Sequence, residues 1–198
     1  MTPRTWKNKI SFAVIALILW LGNVENADAR SGGKGNIYFG GGFLREINSY
    51  KFNSTESNFT GWGASGIAGI EFDLNANLGL FFEAEYARHE LLNTLQSTTY
   101  LEKATNTALI AKAGIYYGMI GLGFAASQNQ IDVDNVSSAG TGSRTSFKGL
   151  AYHAIGQLTF PAEDRVRTMI EGKLGTGNFE GLTYTESQIS IHLYFMPF

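Results

Sequence analysis

Glu83 and Glu85 stand two residues apart, so on an extended segment they share a face with their carboxyls about 7 Å apart. Paired carboxylates are the equipment of general acid and base chemistry when the surroundings hold one of them protonated. The same pair serves as counter-ions for Lys112 and the nearby basic side chains, and that is the reading adopted here, because a charge on a shared buried face must be paired. Of the three histidines, none has a serine beside it in a nucleophile motif. Asp132 and Asp134 alternate with Ile131 and Val133 as in the start of a calcium loop, but the glycine and distal glutamate of such a loop are missing. The chain has no cysteine, which excludes thiolate zinc and disulfides. The glycine runs Gly40 to Gly42 and Gly118 to Gly123 open no helix, so they form no phosphate cradle. Neither a cofactor nor a metal is expected.

These residues sit in segments of period-two alternation, the signature of strands. Leu80, Phe82, Ala84 and Tyr86 alternate with Phe81, Glu83, Glu85 and His89 over Leu78 to His89. Leu109, Ala111, Ala113 and Ile115 alternate with Ile110, Lys112, Gly114 and Tyr116 over Thr107 to Tyr117. Comparable runs cover Trp62 to Leu74, Met119 to Gln128, Ser146 to Phe160, Arg165 to Leu174 and Gln188 to Phe198. A first run, Gly35 to Leu44, is apolar on both faces and leaves its inward side open. The count is eight. Polar stretches Glu46 to Gly61, Glu90 to Ala104 and Asn129 to Arg144 read as long loops, and Gly175 to Gly181 as a shorter one. Asn75 to Asn77, Gly118 and Pro161 to Asp164 read as tight turns. Long and short connections alternate, which gathers the loops at one end.

The expected fold is therefore all-β: an eight-stranded antiparallel up-and-down transmembrane β-barrel. Alternation alone also fits an exported soluble barrel with a greasy interior, the lipocalin-like carrier. Two features favour lipid outside. The apolar face mixes bulky residues with many Ala and Gly, which would leave voids in a closed core. Trp62, Phe72, Tyr86, Tyr117, Tyr152 and Phe195 fall near strand ends, where interfacial girdles sit. The lumen then receives Glu71, Asp73, Glu83, Glu85, Lys112, His153, Arg167, Glu171, Lys173 and His192. An eight-stranded interior is only wide enough for side chains, so these charges should pair and plug it.

Arg4, Lys7 and Lys9, the apolar run Ile10 to Leu21 and the A-x-A of Ala27 to Ala29 form the three parts of a signal peptide. At about a dozen residues the run is too short to cross a bilayer as a helix, which takes roughly 20. Residues 1–29 are thus read as signal peptide and 30–198 as barrel. Losing three cations and two anions with the signal moves the formal charge from −2 to −3. With no basic surface left, nucleic acid is excluded as a partner. Glycine is frequent (24) and proline rare (3), which suits close-packed strands rather than a disordered chain. The sequons at Asn53, Asn58 and Asn135 would stay bare in a bacterial envelope.

A final strand closing on Phe198 resembles the terminal signal of bacterial outer-membrane proteins, carried here by Tyr194, Met196 and Phe198. The stretch LIAKAGIYY from Leu109, followed by GLGF from Gly121, resembles the strand-turn-strand centre of small opacity-type outer-membrane barrels. The resemblance implies export to the bacterial outer membrane, contact with its lipid and insertion by the barrel-assembly machinery. It also implies a non-enzymatic role in adhesion or envelope structure, with a host or envelope ligand meeting the loops. Tyr50, Phe52, Phe59 and Tyr100 are the expected loop contacts. A narrow solute channel, a lipid-active enzyme and the soluble carrier are the alternatives. Against the enzyme, His153 is followed by Ala154 and Ile155, so the His-x-Ser pattern of barrel lipid A deacylases is missing.

Amino-terminal sequencing of the exported protein is expected to start at Arg30; a start at Met1 would refute the assignment of residues 1–29.

Overall fold

Backbone N–H and C=O groups inside hydrocarbon have no water to bond, so a sheet can sit there only if it closes on itself. A computed structural model of the protein describes residues 35–197 except 53–54, 76, 94–99, 138–141, 164 and 180–181, and it shows that closure. The strands are β1 (Gly35–Phe52), β2 (Thr55–Asp73), β3 (Leu78–Asn93), β4 (Tyr100–Tyr117), β5 (Ile120–Ser137), β6 (Gly142–Glu163), β7 (Val166–Phe179) and β8 (Leu182–Phe195). Each pairs antiparallel with the next, and β1 pairs with β8 from Phe39↔Phe195 to Phe52↔Leu182. Residues 1–34 and Phe198 lie outside the described residues, and with them the signal segment and the last residue of the assembly signal.

At one end the connections are minimal. The Asn75 side-chain oxygen accepts hydrogen bonds from the backbone N–H groups of Asn77 and Leu78, fixing the β2–β3 turn. Between β4 and β5, Gly118 adopts φ of 57°, a conformation that costs a side-chain-bearing residue steric strain. Its N–H donates to the Asn77 carbonyl at 2.7 Å, tying the two turns together.

At the other end the expected long loops are corrected. The β1–β2 ladder runs to Phe52↔Thr55, β4–β5 to Tyr100↔Ser137 and β5–β6 to Val136↔Gly142, so most of each polar stretch is hairpin. The shorter loop contracts likewise, with β7 reaching Phe179 and β8 starting at Leu182. Asp132 and Asp134 belong to the β5 ladder, opposite Thr105 and Lys103, and not to the long loop expected over Asn129 to Arg144. The physical reason is that outward positions above the membrane need not be apolar. Hydrogen bonding continues up the ladder while the alternation that marks a strand fades.

The faces separate cleanly. Phe43 and Phe124 are each 77% exposed on the outer wall, with Trp62, Tyr86, Tyr117, Tyr152 and Leu193 also outward. Lys112, Glu85, Glu171 and His192 are buried within. This arrangement rules out the soluble carrier with a greasy interior. On β2 the apolar band runs from Trp62 to Phe72; ten rises of ~3.3 Å, tilted by ~40°, give ~25 Å along the axis, the height of an outer-membrane band.

The open side of β1 is also settled: Tyr38, Gly40, Gly42 and Leu44 point inward. A Cβ on Gly40 would overlap the Leu193 carbonyl oxygen and Tyr194 Cα, so a glycine is needed where β1 meets β8. The interior is filled in layers. Tyr50, Phe59, Leu91, Ile131, Phe179 and Tyr184 pack near the hairpin end, and Tyr38, Ile67, Met169, Tyr194 and Met196 near the turn end. Between them lie Leu44, Phe81, Ile110 and Ile155 with the charged side chains.

Gly40→Val is expected to cost about 1–3 kcal/mol in denaturant unfolding from detergent, through overpacking at the closing seam. Gly172→Ala, with nothing within 4 Å of the added carbon, should change stability by less than about 0.5 kcal/mol. Equal effects would contradict the close approach at Gly40.

Candidate functional site

The ladder sets Glu83 directly across from Lys112, and Glu171 across from Gln157 and Ser190, all with inward side chains. The barrel is narrow enough for the Lys112 ammonium to reach the far wall. It lies 2.7 Å from both Glu171 oxygens, 2.9 Å from Glu85 and 3.3 Å from Glu83. Lys173 meets Glu85 at 3.3 Å. Three carboxylates thus face two ammoniums, and neutral donors supply the remaining hydrogen bonds. Gln157 donates to Glu171 at 2.9 Å and to Glu83 at 3.3 Å, and the Tyr38 hydroxyl donates to Glu83 at 2.5 Å. Such a network suits a fixed plug, because each charge is held by groups on other strands.

Toward the turn end, Arg167 pairs with Glu71 at 3.2 Å and the Tyr116 hydroxyl donates to Asp73. A cavity of about 240 Å³ opens there, lined by Glu71, Tyr116, Gln157 and Arg167 among others. Toward the hairpin end, Glu46 is fully buried against His89, Asn48, Asn106 and Tyr184. Tyr50 and Tyr184 stack with ring centroids 5.3 Å apart. Burial, with the Glu186 carboxylate beside them, holds both phenols above their ordinary pKa. These rings close the lumen above the ion network.

All ten residues assigned to the lumen point inward, Asp73 and Arg167 being half-buried and the other eight buried. Tyr194 and Met196 also point inward, packed with Tyr38. Two expected loop contacts are corrected: Tyr50 and Phe59 are 5% and 3% exposed inside the barrel, edge to face at 5.3 Å. They were misplaced because their strands continue beyond the apolar band, where aromatic side chains fill the lumen. Phe52 and Tyr100 have their backbones in β1 and β4. The sequence reading missed Glu46, Asn48, Asn106 and Glu186, and put His89 on the Glu83 face without counting it in the lumen set. Asn106 lies on the parity of Lys112 in β4, and extending that parity through the polar stretch would have found it; Glu46 and Asn48 lie on β1, whose inward side the sequence left open.

No histidine has a serine beside it in a nucleophile motif, yet two of them approach one in space. His153 Nε2 lies 2.8 Å from Ser127 Oγ, and its Nδ1 lies 3.6 Å from Glu186. His192 Nε2 lies 2.7 Å from Ser190. A serine, a histidine and a carboxylate in this order resemble a nucleophile relay, but the acid is beyond hydrogen-bond distance. Ser127 is 1% exposed, so no substrate carbonyl can meet it. These groups fill the interior and bond one another.

No protein-family model matches the chain, and no curated protein matches it. Among solved structures, Ail, the attachment invasion locus protein of Yersinia pestis, is similar with a TM-score of 0.52 at 12% identity, over 81% of this chain and 99% of Ail. The structure of Ail with the heparin analogue sucrose octasulfate gives 0.51 at the same identity and coverage. Neisserial surface protein A gives 0.44 at 12% identity, over 83% of this chain and 98% of that protein. At these identities the likeness is one of fold: the chain has the architecture of the small eight-stranded outer-membrane barrels.

Lys112→Met would leave Glu83, Glu85 and Glu171 with a single ammonium and is expected to destabilise the barrel by about 3–5 kcal/mol in denaturant unfolding. Adding Glu85→Gln and Glu171→Gln should recover part of that loss. Wild-type stability of the single variant would show that the network bears no load.

Proposed function

We propose that this protein is a non-enzymatic integral barrel of a bacterial outer membrane, freed of its signal segment on export, whose extended hairpins present a binding surface outside the cell. The observation that carries the reading is the inside-out distribution of polarity. An apolar wall about 25 Å high surrounds a core of paired charges, an arrangement stable only with hydrocarbon outside. Insertion would require the barrel-assembly machinery, and outer-membrane lipid would be the constant partner.

Against a channel stands the filled lumen, with Lys112 bonded across it and aromatic rings packed above. Against an enzyme stands the enclosure of Ser127 and His153. What remains available to a ligand is the rim. The three tall hairpins β1–β2, β3–β4 and β5–β6 rise on a rigid scaffold, where binding surfaces are commonly carried. Ail, named for attachment and invasion, is built on the same architecture, which supports a surface role with a host or envelope ligand.

The test combines cell fractionation, heat-modifiable gel mobility and planar-bilayer recording. The protein is expected in the outer-membrane fraction, with a mobility shift on boiling and no steady open current. Replacing residues 94–99 and 138–141 by short turns should abolish attachment to host cells or matrix while leaving fraction and shift unchanged. A sustained conductance would overturn the closed pedestal, and undiminished attachment would overturn the role of the hairpin tips.

A further inference from the structure

The interior network accounts for the buried charges but not for a group of cations on the outside. Where β1 to β5 leave the apolar band, a groove of about 890 Å³ runs along the outer wall, lined by Arg45, Trp62, Arg88, Glu90, Lys103 and Asp134 among others. Ladder pairing brings these residues together: Arg45 faces Trp62, Trp62 faces Glu90, and Lys103 faces Asp134. Small neighbours on the same wall, Thr60, Ala64 and Thr105, keep the groove open. Below it the wall is Ala68, Phe82 and Ala84.

We propose that this groove binds the phosphorylated headgroup of a glycolipid in the outer leaflet. The inference rests on the membrane placement given above, because it puts the groove at the headgroup level of the hairpin side. Each component has a matching part. Arg88 and Lys103 make no ion pair among the described residues, although Glu90 and Asp134 line the same groove, so both are available to an anion. Arg45 lies 5.5 Å from the Trp62 ring centroid, a cation held over an aromatic face at the interface. Phosphate oxygens accept charge-assisted hydrogen bonds from arginine and lysine more strongly than neutral acceptors do. The exposed indole offers a flat surface to a sugar ring, and Glu90 accepts from its hydroxyls. The acyl chains then continue down the apolar wall. A zwitterionic headgroup lacks the net negative charge that Arg45, Arg88 and Lys103, outnumbering Glu90 and Asp134 in the lining, would select.

The test uses the purified full barrel in dodecyl maltoside micelles, with heat-modifiable mobility confirming that every variant is folded. Retention of bis-phosphorylated lipid A is measured by native mass spectrometry against the same lipid after enzymatic dephosphorylation. Wild type should retain the phosphorylated form, and the combined Arg45→Ala, Arg88→Ala, Lys103→Ala variant should lose retention by about tenfold or more. Lys148→Ala, an outward lysine on β6, should behave as wild type. Equal retention of the dephosphorylated lipid, undiminished retention by the triple variant, or an equal loss with Lys148→Ala would overturn the proposal. So would displacement of the lipid by a soluble sulfated saccharide at equal concentration, which would assign the groove to a polyanion outside the cell. A protein that retains the lipid in micelles but fractionates away from the outer membrane would overturn the placement alone. One that reaches the outer membrane but shows no phosphate preference would overturn this inference alone.

Discussion

Everything in this molecule follows from the need to bond every backbone polar group within the apolar band. Only a closed cylinder meets that need, and closure of eight strands fixes an interior too narrow for a water column yet too wide to leave empty. Half of the side chains must point into that space, since strand geometry sends alternate residues to opposite faces. Lipid takes the apolar set, so the polar set has to be satisfied inside. The β1–β8 seam is therefore inseparable from the charged core: Gly40 and Gly42 let β8 approach, and His192 and Tyr194 on β8 fill the space beside them.

The core also specifies the pairing. A slip of two residues between β3 and β4 would keep every apolar side chain in lipid, so polarity alone would tolerate it. It would not keep Lys112 opposite Glu83 and within reach of Glu85 and Glu171. Buried ion networks add little net stability compared with apolar packing, but a mispaired one is costly. Here three carboxylates and two ammoniums on three different strands act as a register key, with Gln157 and Tyr38 completing the bonds.

The strand count, the outward face and the lumen side of β2 to β8 were legible from period-two alternation, because within the band lipid demands an apolar residue at every second position. The ends were not. At Arg45 to Lys51 the outward residues turn mostly polar while Glu46, Asn48 and Tyr50 still point in, so both faces look alike and the ladder is invisible to pattern reading. The Glu46 cluster was lost for that reason. The approach of His153 to Ser127 was hidden differently, since the two sit on adjacent strands and 26 positions apart. Side chains joined through the ladder leave no local motif.

Both described ends of the barrel, Gly35 and Phe195, belong to the rim of tight turns, as an even number of strands requires. The β1–β2, β3–β4, β5–β6 and β7–β8 hairpins all turn at the opposite rim. A peptide carried at one of those crests would thus stand at the far rim from Gly35 and Phe195 and leave the ladder of the closing seam whole.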